Sequence, residues 1–227
     1  MIDRQQQGAD REAVGVPETG TVVKDVGTAA GQLDFQAWNI DLGEKSFATT
    51  NVIPAIVAGA ADIVYHEARH AEQWHRMARI QAGTGKSAKT IATEMAIPKH
   101  VAEDAAADPL SGESKEATEG KAWLESVYGA NAAHRNTVLT TLAAQGVELE
   151  TKSAAARQAQ QELQALDRDP QATAEAKAAA TTACTTAEAE YETALTAFQA
   201  TYAQYRALPE EQDAWATGGA VQAAYMK

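Results

Sequence analysis

Residues 66–70 read His-Glu-Ala-Arg-His, an H-E-x-x-H pentapeptide. On an α-helix, positions i and i+4 lie one turn apart on the same face. His66 and His70 can then direct two imidazole nitrogens at one Zn²⁺. Glu67 projects beside that ion, where its carboxylate can take a proton from a polarised water. The pattern points to a zinc hydrolase, and within that class to cleavage of peptide bonds.

This chemistry requires the pentapeptide to sit inside a helix. Between Val52 and Gln81 the only glycine is Gly59, and no proline follows Pro54. Ile56, Ile63, Met77 and Ile80 recur at near-helical spacing. Asn51 is the expected N-cap, Pro54 falls in the first turn, and Gly83 is the expected stop.

A catalytic site of this kind needs a third protein ligand. One pattern places a histidine about ten residues after the motif. His75 stands too close for that, roughly 140° around the helix from His70. His100 and His134 each stand alone. The other pattern takes a glutamate from a second helix, followed three residues later by an alanine that permits close approach. Glu119-Gly120-Lys121-Ala122-Trp123 and Glu211-Gln212-Asp213-Ala214-Trp215 both offer it. Leu208-Pro209 marks a helix start just before Glu210 and Glu211. Glu211 is therefore the preferred third ligand. Glu119 follows, then Glu210 and Glu116. Asp213 is a candidate acceptor for the N–H of a metal-bound histidine. Tyr128 and Tyr205 are candidates for stabilising an oxyanion, while Tyr65 stands too near the motif to be assigned that role.

Composition narrows the function further. The chain has 227 residues, a net charge of −12 and five histidines. That charge argues against binding a nucleic-acid backbone or an anionic membrane surface. Residues 87–101 superficially suggest a helix-turn-helix, but Glu103 and Asp104 would repel phosphate from its second helix. No apolar run is long enough to span a membrane. No Sec signal is visible, so the chain is expected in the cytoplasm as synthesised. The single cysteine, Cys184, excludes an internal disulfide and reads as a small apolar filler. Aromatic residues are only 6% of the chain, and alanine supplies much of its apolar content.

The expected fold is mainly α: a helical, zincin-like metal domain with a long antiparallel helical hairpin inserted. Residues 1–32 read as a mobile polar tail. Residues 33–129 form the metal domain, with an extended segment within 33–50. Short helices are expected from Ser87 or Thr84, from Pro98 to Asp108, and over 113–128. Residues 130–207 form the hairpin, with arms of about 38 residues and about 57 Å. Asp169-Pro170 should start its second arm. Leu139, Leu142, Gly146, Leu149, Ser153, Ala156, Gln160 and Leu163 face Tyr191, Leu195, Phe198, Tyr202 and Tyr205 along a coiled-coil-like seam. Residues 208–227 return to the metal domain.

Four segments together resemble a known group. They are Tyr65 through Trp74, Ile97-Pro98-x-x-Val101-Ala102, Trp123-x-x-Ser126-Val127-Tyr128-Gly129, and Tyr205-x-x-Leu208-Pro209-x-Glu211-x-Asp213-Ala214-Trp215. They resemble gluzincin-like zinc metallopeptidase domains linked with bacterial extracellular contractile injection systems and polymorphic toxins. Gln73, three residues after the second histidine, is similar too. The resemblance covers residues 50–128 and 202–217 and leaves the hairpin as a variable insertion. It implies Zn²⁺ on His66, His70 and Glu211, with Glu67 as the base. It also implies a peptide or protein substrate, injection-system components as partners, and export by that machinery as cargo or effector. The alternative is a non-catalytic scaffold that uses the hairpin to dock a partner and keeps a structural or vestigial metal site.

Overall fold

The computed structural model describes residues 15–26, 30–44 and 53–226. Its fold is mainly α, with seven helices and one small sheet among the described residues. The chain divides into two compact units. One comprises Met1–Asn131 with Pro209–Lys227, the other Ala132–Leu208.

The first unit is built around helix α1, Pro54–Gly83, which carries the pentapeptide. Its 30 residues give it a length of about 45 Å. Pro54 occupies the first turn, where its missing N–H is not needed. Ile53 takes the N-cap position without a side-chain hydrogen bond, in place of the expected Asn51, which lies outside the described residues. From His70 to Ile80 all but Glu72 and Arg79 are buried, so neighbours surround this stretch.

Three strands form a sheet, β1 (Gly20–Lys24), β2 (Gly31–Asp34) and β3 (Asn39–Gly43), of which β2 and β3 pack on α1 while β1 is exposed. Their order is β1-β3-β2, with β1 parallel and β2 antiparallel to β3. Ile40 and Leu42 alternate along β3 and pack with Val64, while Leu33, Ile63 and Ala68 border them. Asp41, between them in sequence, ties the strands together. It pairs with Lys24 at 2.7 Å and accepts from Gln32 at 3.2 Å. Trp38 closes the β2–β3 hairpin at φ 58°, a costly backbone for a bulky residue. Burial of its ring and the Nε1 hydrogen bond to the Pro17 carbonyl at 3.0 Å hold it there.

These strands correct the expectation of a mobile tail through residue 32. Val16 and Thr19 are buried, and Gly20–Lys24 and Gly31–Asp34 are paired with β3. Gly31 permits close packing against α1. A Cβ on Gly31 would lie 2.6 Å from Ile63 Cγ2. Residues 1–14, 27–29 and 45–52 lie outside the described residues.

Two short helices, α2 (Ala88–Met95) and α3 (Lys99–Ala107), pack beside α1. Ser87 caps the first by accepting from Thr90 N–H. Pro98 stands at the N-cap of the second, so the helix begins at Lys99. Ile91, Met95, Val101, Ala102 and Ala105 bury against Trp74, Met77 and Ala78 of α1. These helices therefore spend their apolar faces on the core. Helix α4, Lys115–Val127, is capped by Ser114 and brings Trp123 to the same cluster.

The second unit pairs α5 (Ala132–Arg168) with α6 (Ala174–Arg206). Lys152 pairs with Glu190, and Gln160 donates to Glu188. Advancing along α5 thus means retreating along α6, as an antiparallel hairpin requires. The second arm begins at Ala174 with Thr173 as N-cap, four residues later than Asp169-Pro170 suggested. Asp169 instead accepts from Gln171 N–H and closes the turn. The seam residues Leu139, Leu149, Tyr191 and Phe198 are only half-buried. Each arm has one neighbour within its unit. None of the described helices is long and apolar enough to cross a membrane.

The final helix, α7 (Pro209–Tyr225), returns to the first unit and lies along α1. Ala214 is fully buried between them. A Cβ on Gly218 would lie 2.8 Å from the Asp62 carbonyl oxygen. Gly218→Ala should therefore destabilise the protein by about 1–3 kcal/mol through overpacking. Gly219→Ala, at a position with open space around it, should not. Chemical denaturation of the two variants checks this difference.

Candidate metal centre

Two helices supply the site. Helix α1 contributes His66, Glu67, His70 and Gln73; α7 contributes Glu210, Glu211, Asp213 and Trp215. His66 Nε2 and His70 Nε2 stand 3.1 Å apart. Glu211 places Oε2 3.6 Å from His66 Nε2 and Oε1 3.5 Å from His70 Nε2. The three side chains are buried, and their donor atoms form one mutually close group.

Those separations can be tested against a metal. Donors held about 2.0–2.1 Å from a tetrahedral ion stand roughly 3.3–3.4 Å from one another. The imidazole nitrogens at 3.1 Å, and the two Glu211 oxygens at 3.6 and 3.5 Å from one nitrogen each, lie near that spacing, and one ligand atom from each residue lies within 4.8 Å of the others. Two imidazoles and one carboxylate are also the donor set that leaves a fourth position for water or substrate. The residues therefore fit Zn²⁺.

Electrostatics agree with the geometry. Burial opposes a charge on His70, but the adjoining Glu211 carboxylate outweighs it and pushes the pKa up to about 9. A proton is thus held where the donors would otherwise hold a cation. Burial also raises Glu67, to about 7, and Glu211 adds to this. The His70 charge and a hydrogen bond from Leu33 N–H act the other way. A carboxylate poised near neutrality is suited to general-base work.

Around the donors lies a second ring of contacts. Gln73 is fully buried, and its Oε1 lies 2.8 Å from His70 Nδ1. Its Nε2 donates to the Glu210 carbonyl at 2.8 Å and to Asp213 Oδ2 at 2.7 Å. Arg69 grips Asp213 with Nε at 2.7 Å and Nη2 at 3.1 Å. Burial disfavours the Asp213 charge, but Arg69 and Gln73 outweigh it and hold its pKa below the ordinary carboxylate range. Arg69 also pairs with Glu72, and Glu72 with Arg76. Both guanidiniums lie over Trp123, at 5.5 and 5.2 Å from the ring centre. Trp215 lies 4.4 Å from the His66 ring, and Trp74 meets His70 edge-on at 6.0 Å.

Of the candidates read from sequence, His66, His70 and Glu211 come together, with Glu67 beside them. Glu119 pairs with Arg76 at 3.0 Å, in another part of the helix surface. Glu116 and His100 are exposed. Glu210 is buried, but its backbone carbonyl is what meets Gln73. His75 bonds Asp104 at 2.9 Å, and burial lowers its pKa. His134 belongs to the hairpin unit and is exposed, and Tyr205 lies in that unit too. Tyr128 hydroxyl accepts from Trp74 Nε1 and donates to the Met95 carbonyl, each at 3.1 Å, so it braces the core.

One expectation needs correction. Asp213 does not meet a histidine N–H; Gln73 stands between them. The signal for Gln73 was present in its i+3 spacing from His70, which places both on one helix face. Nothing in the local sequence pointed Arg69 toward residue 213.

No protein-family model matches the chain, no curated protein matches it, and no solved structure matches it.

The two raised pKa values predict how the metal-free protein responds to pH. His70 binds its proton more tightly folded (about 9) than at its ordinary value of 6.5. Its contribution is therefore complete below pH 6.5 and is lost as pH rises through 9. Glu67, at about 7 rather than 4.5, acts in the same direction between those values. The melting temperature of the metal-free protein should fall as pH rises from 5 to 9. Stabilisation by added Zn²⁺ should grow over the same range, because the metal displaces the proton. Thermal melts with and without Zn²⁺ across this range check both trends.

Proposed function

We propose that this chain is a zinc-dependent peptidase whose ligands are His66, His70 and Glu211. The observation that carries this reading is the convergence of three buried ligand residues whose donor atoms lie within 4.8 Å of one another, the last arriving from a helix that begins at Pro209. A bound Zn²⁺ supplies Lewis acidity, polarising a peptide carbonyl and acidifying a water. Glu67 accepts the proton of that water and passes it to the departing amine. The surrounding burial strengthens each electrostatic contact. Gln73, Asp213 and Arg69 hold the donors in place, and Trp215 covers His66.

The resemblance in residues 50–128 and 202–217 supports placing this enzyme with gluzincin-like domains of contractile injection systems and polymorphic toxins. On that reading it is cargo or effector acting on a protein substrate. A second reading has support from the hairpin, which forms a compact unit of its own. It makes the chain a scaffold with a structural metal. Zinc content without cleavage of any member of a broad peptide library would favour it.

Purified protein should hold about one Zn²⁺ per chain by elemental analysis. His66→Ala should lose it, and an equally zinc-loaded variant would remove the central claim. Glu67→Gln should keep the metal while peptide cleavage falls by about 10²–10⁴-fold. Unchanged turnover in that variant would reject Glu67 as the base.

A further inference from the structure

We propose that Gln73 is a positioning residue that fixes His70 in its Nδ1-protonated form and clamps the turn carrying Glu211. The inference deepens the metal reading and rests on it for its functional meaning. Its physical content concerns protons and can be read without metal.

The argument starts from groups whose hydrogen-bonding roles are not adjustable. The Glu210 carbonyl can only accept. Asp213 receives two guanidinium N–H bonds from Arg69, one on each oxygen, so that it faces Gln73 as an acceptor too. Both face the same end of the Gln73 side chain, at 2.8 and 2.7 Å. That end must be the NH₂ group. The reversed amide would set its oxygen against two acceptors with no solvent to relieve them, because Gln73 is fully buried.

With the NH₂ so committed, the amide oxygen faces His70 Nδ1 at 2.8 Å. An amide oxygen only accepts, so Nδ1 must carry a proton. A neutral imidazole protonated at Nδ1 keeps its lone pair at Nε2. His70 Nε2 is the atom that stands 3.1 Å from His66 Nε2 and 3.5 Å from Glu211. The relay Arg69–Asp213–Gln73–His70 therefore aims the lone pair into the donor group.

The same amide has a second consequence. Its bond to the Glu210 carbonyl holds the backbone one residue before Glu211. One side chain thus couples the imidazole of α1 to the carboxylate of α7. An acceptor for His70 alone could have been any carbonyl or carboxylate. An amide is needed because it can accept from one helix and donate to the other.

The test uses the full chain labelled with ¹⁵N in its histidines. NMR of the zinc-loaded protein should show His70 protonated at Nδ1, with slow solvent exchange of that proton. Gln73→Met, of similar length but without polar atoms, should exchange roughly tenfold faster. Its zinc affinity, measured by chelator competition, should fall about 10–100-fold. Gln73→Glu keeps an acceptor for Nδ1–H but loses the donated bonds. It should restore slow exchange and bind zinc more tightly than Gln73→Met. If Gln73 only fills space, the order reverses, because Met packs well and Glu faces Asp213; that order would overturn the proposal. So would a wild-type His70 with its proton on Nε2, a measurement that requires no variant to fold. If wild-type protein binds no zinc, the metal reading fails. Exchange of the Nδ1–H proton in the metal-free protein still decides the relay.

Discussion

Two imidazole nitrogens 3.1 Å apart, facing a carboxylate where little water reaches, need a proton or a cation among them. Without metal, a proton on His70 meets that demand, and its pKa climbs to about 9. The same three residues could instead hold a metal ion. The cost of burying these groups must be met by the rest of the unit, since each leaves water only if its hydrogen-bonding atoms are occupied. The ring formed by Gln73, Asp213, Arg69, Glu72 and Arg76 serves that purpose. It continues the charge balance outward from the buried donors to Trp123 and Glu119.

The packing follows from this arrangement. Helix α1 must present one face to α7 and hold its other faces against something rigid. The β2–β3 hairpin supplies Ile40, Leu42 and Leu33 on one side, and α2, α3 and α4 supply the larger cluster on another. Close approach is achieved with small residues: Gly31 against Ile63, and Ala214 and Gly218 on α7. Larger side chains at the two glycines would overlap Ile63 or the α1 backbone at Asp62 unless the elements shifted.

The hairpin is physically separate in logic from this centre. Its seam is alanine-rich toward the tip, and its threonines donate their hydroxyls to carbonyls four residues earlier in the same helix. Helix propensity sustains much of it, and burial contributes less per turn than in the first unit. An antiparallel hairpin also brings its two ends near each other. Seventy-seven residues can thus intervene between Asn131 and Pro209 without a large loop-closure penalty on the fold that they interrupt.

The sequence by itself determined the mainly-α fold, the helix around His66, Glu67 and His70, and the long hairpin. These depend on local periodicity, proline placement and alanine content, all of which act within a few turns. It also singled out Glu211, because Leu208-Pro209 marks a helix start and Ala214 a close approach. It anticipated extended chain within 33–50, where β3 lies, but missed β1 and the start of β2, since Gly20–Lys24 and Gly31–Asp34 are short and held by pairing with β3. It shifted the start of α6, where Asp169 closes a turn and leaves capping to Thr173. Only the tertiary structure set Glu211 beside the two histidines and Glu119 against Arg76, and only it brought Arg69 to Asp213 and Gln73 between Asp213 and His70. Those contacts join residues about 140 positions apart. No local propensity encodes which carboxylate crosses to which helix; the packing of α7 on α1 does.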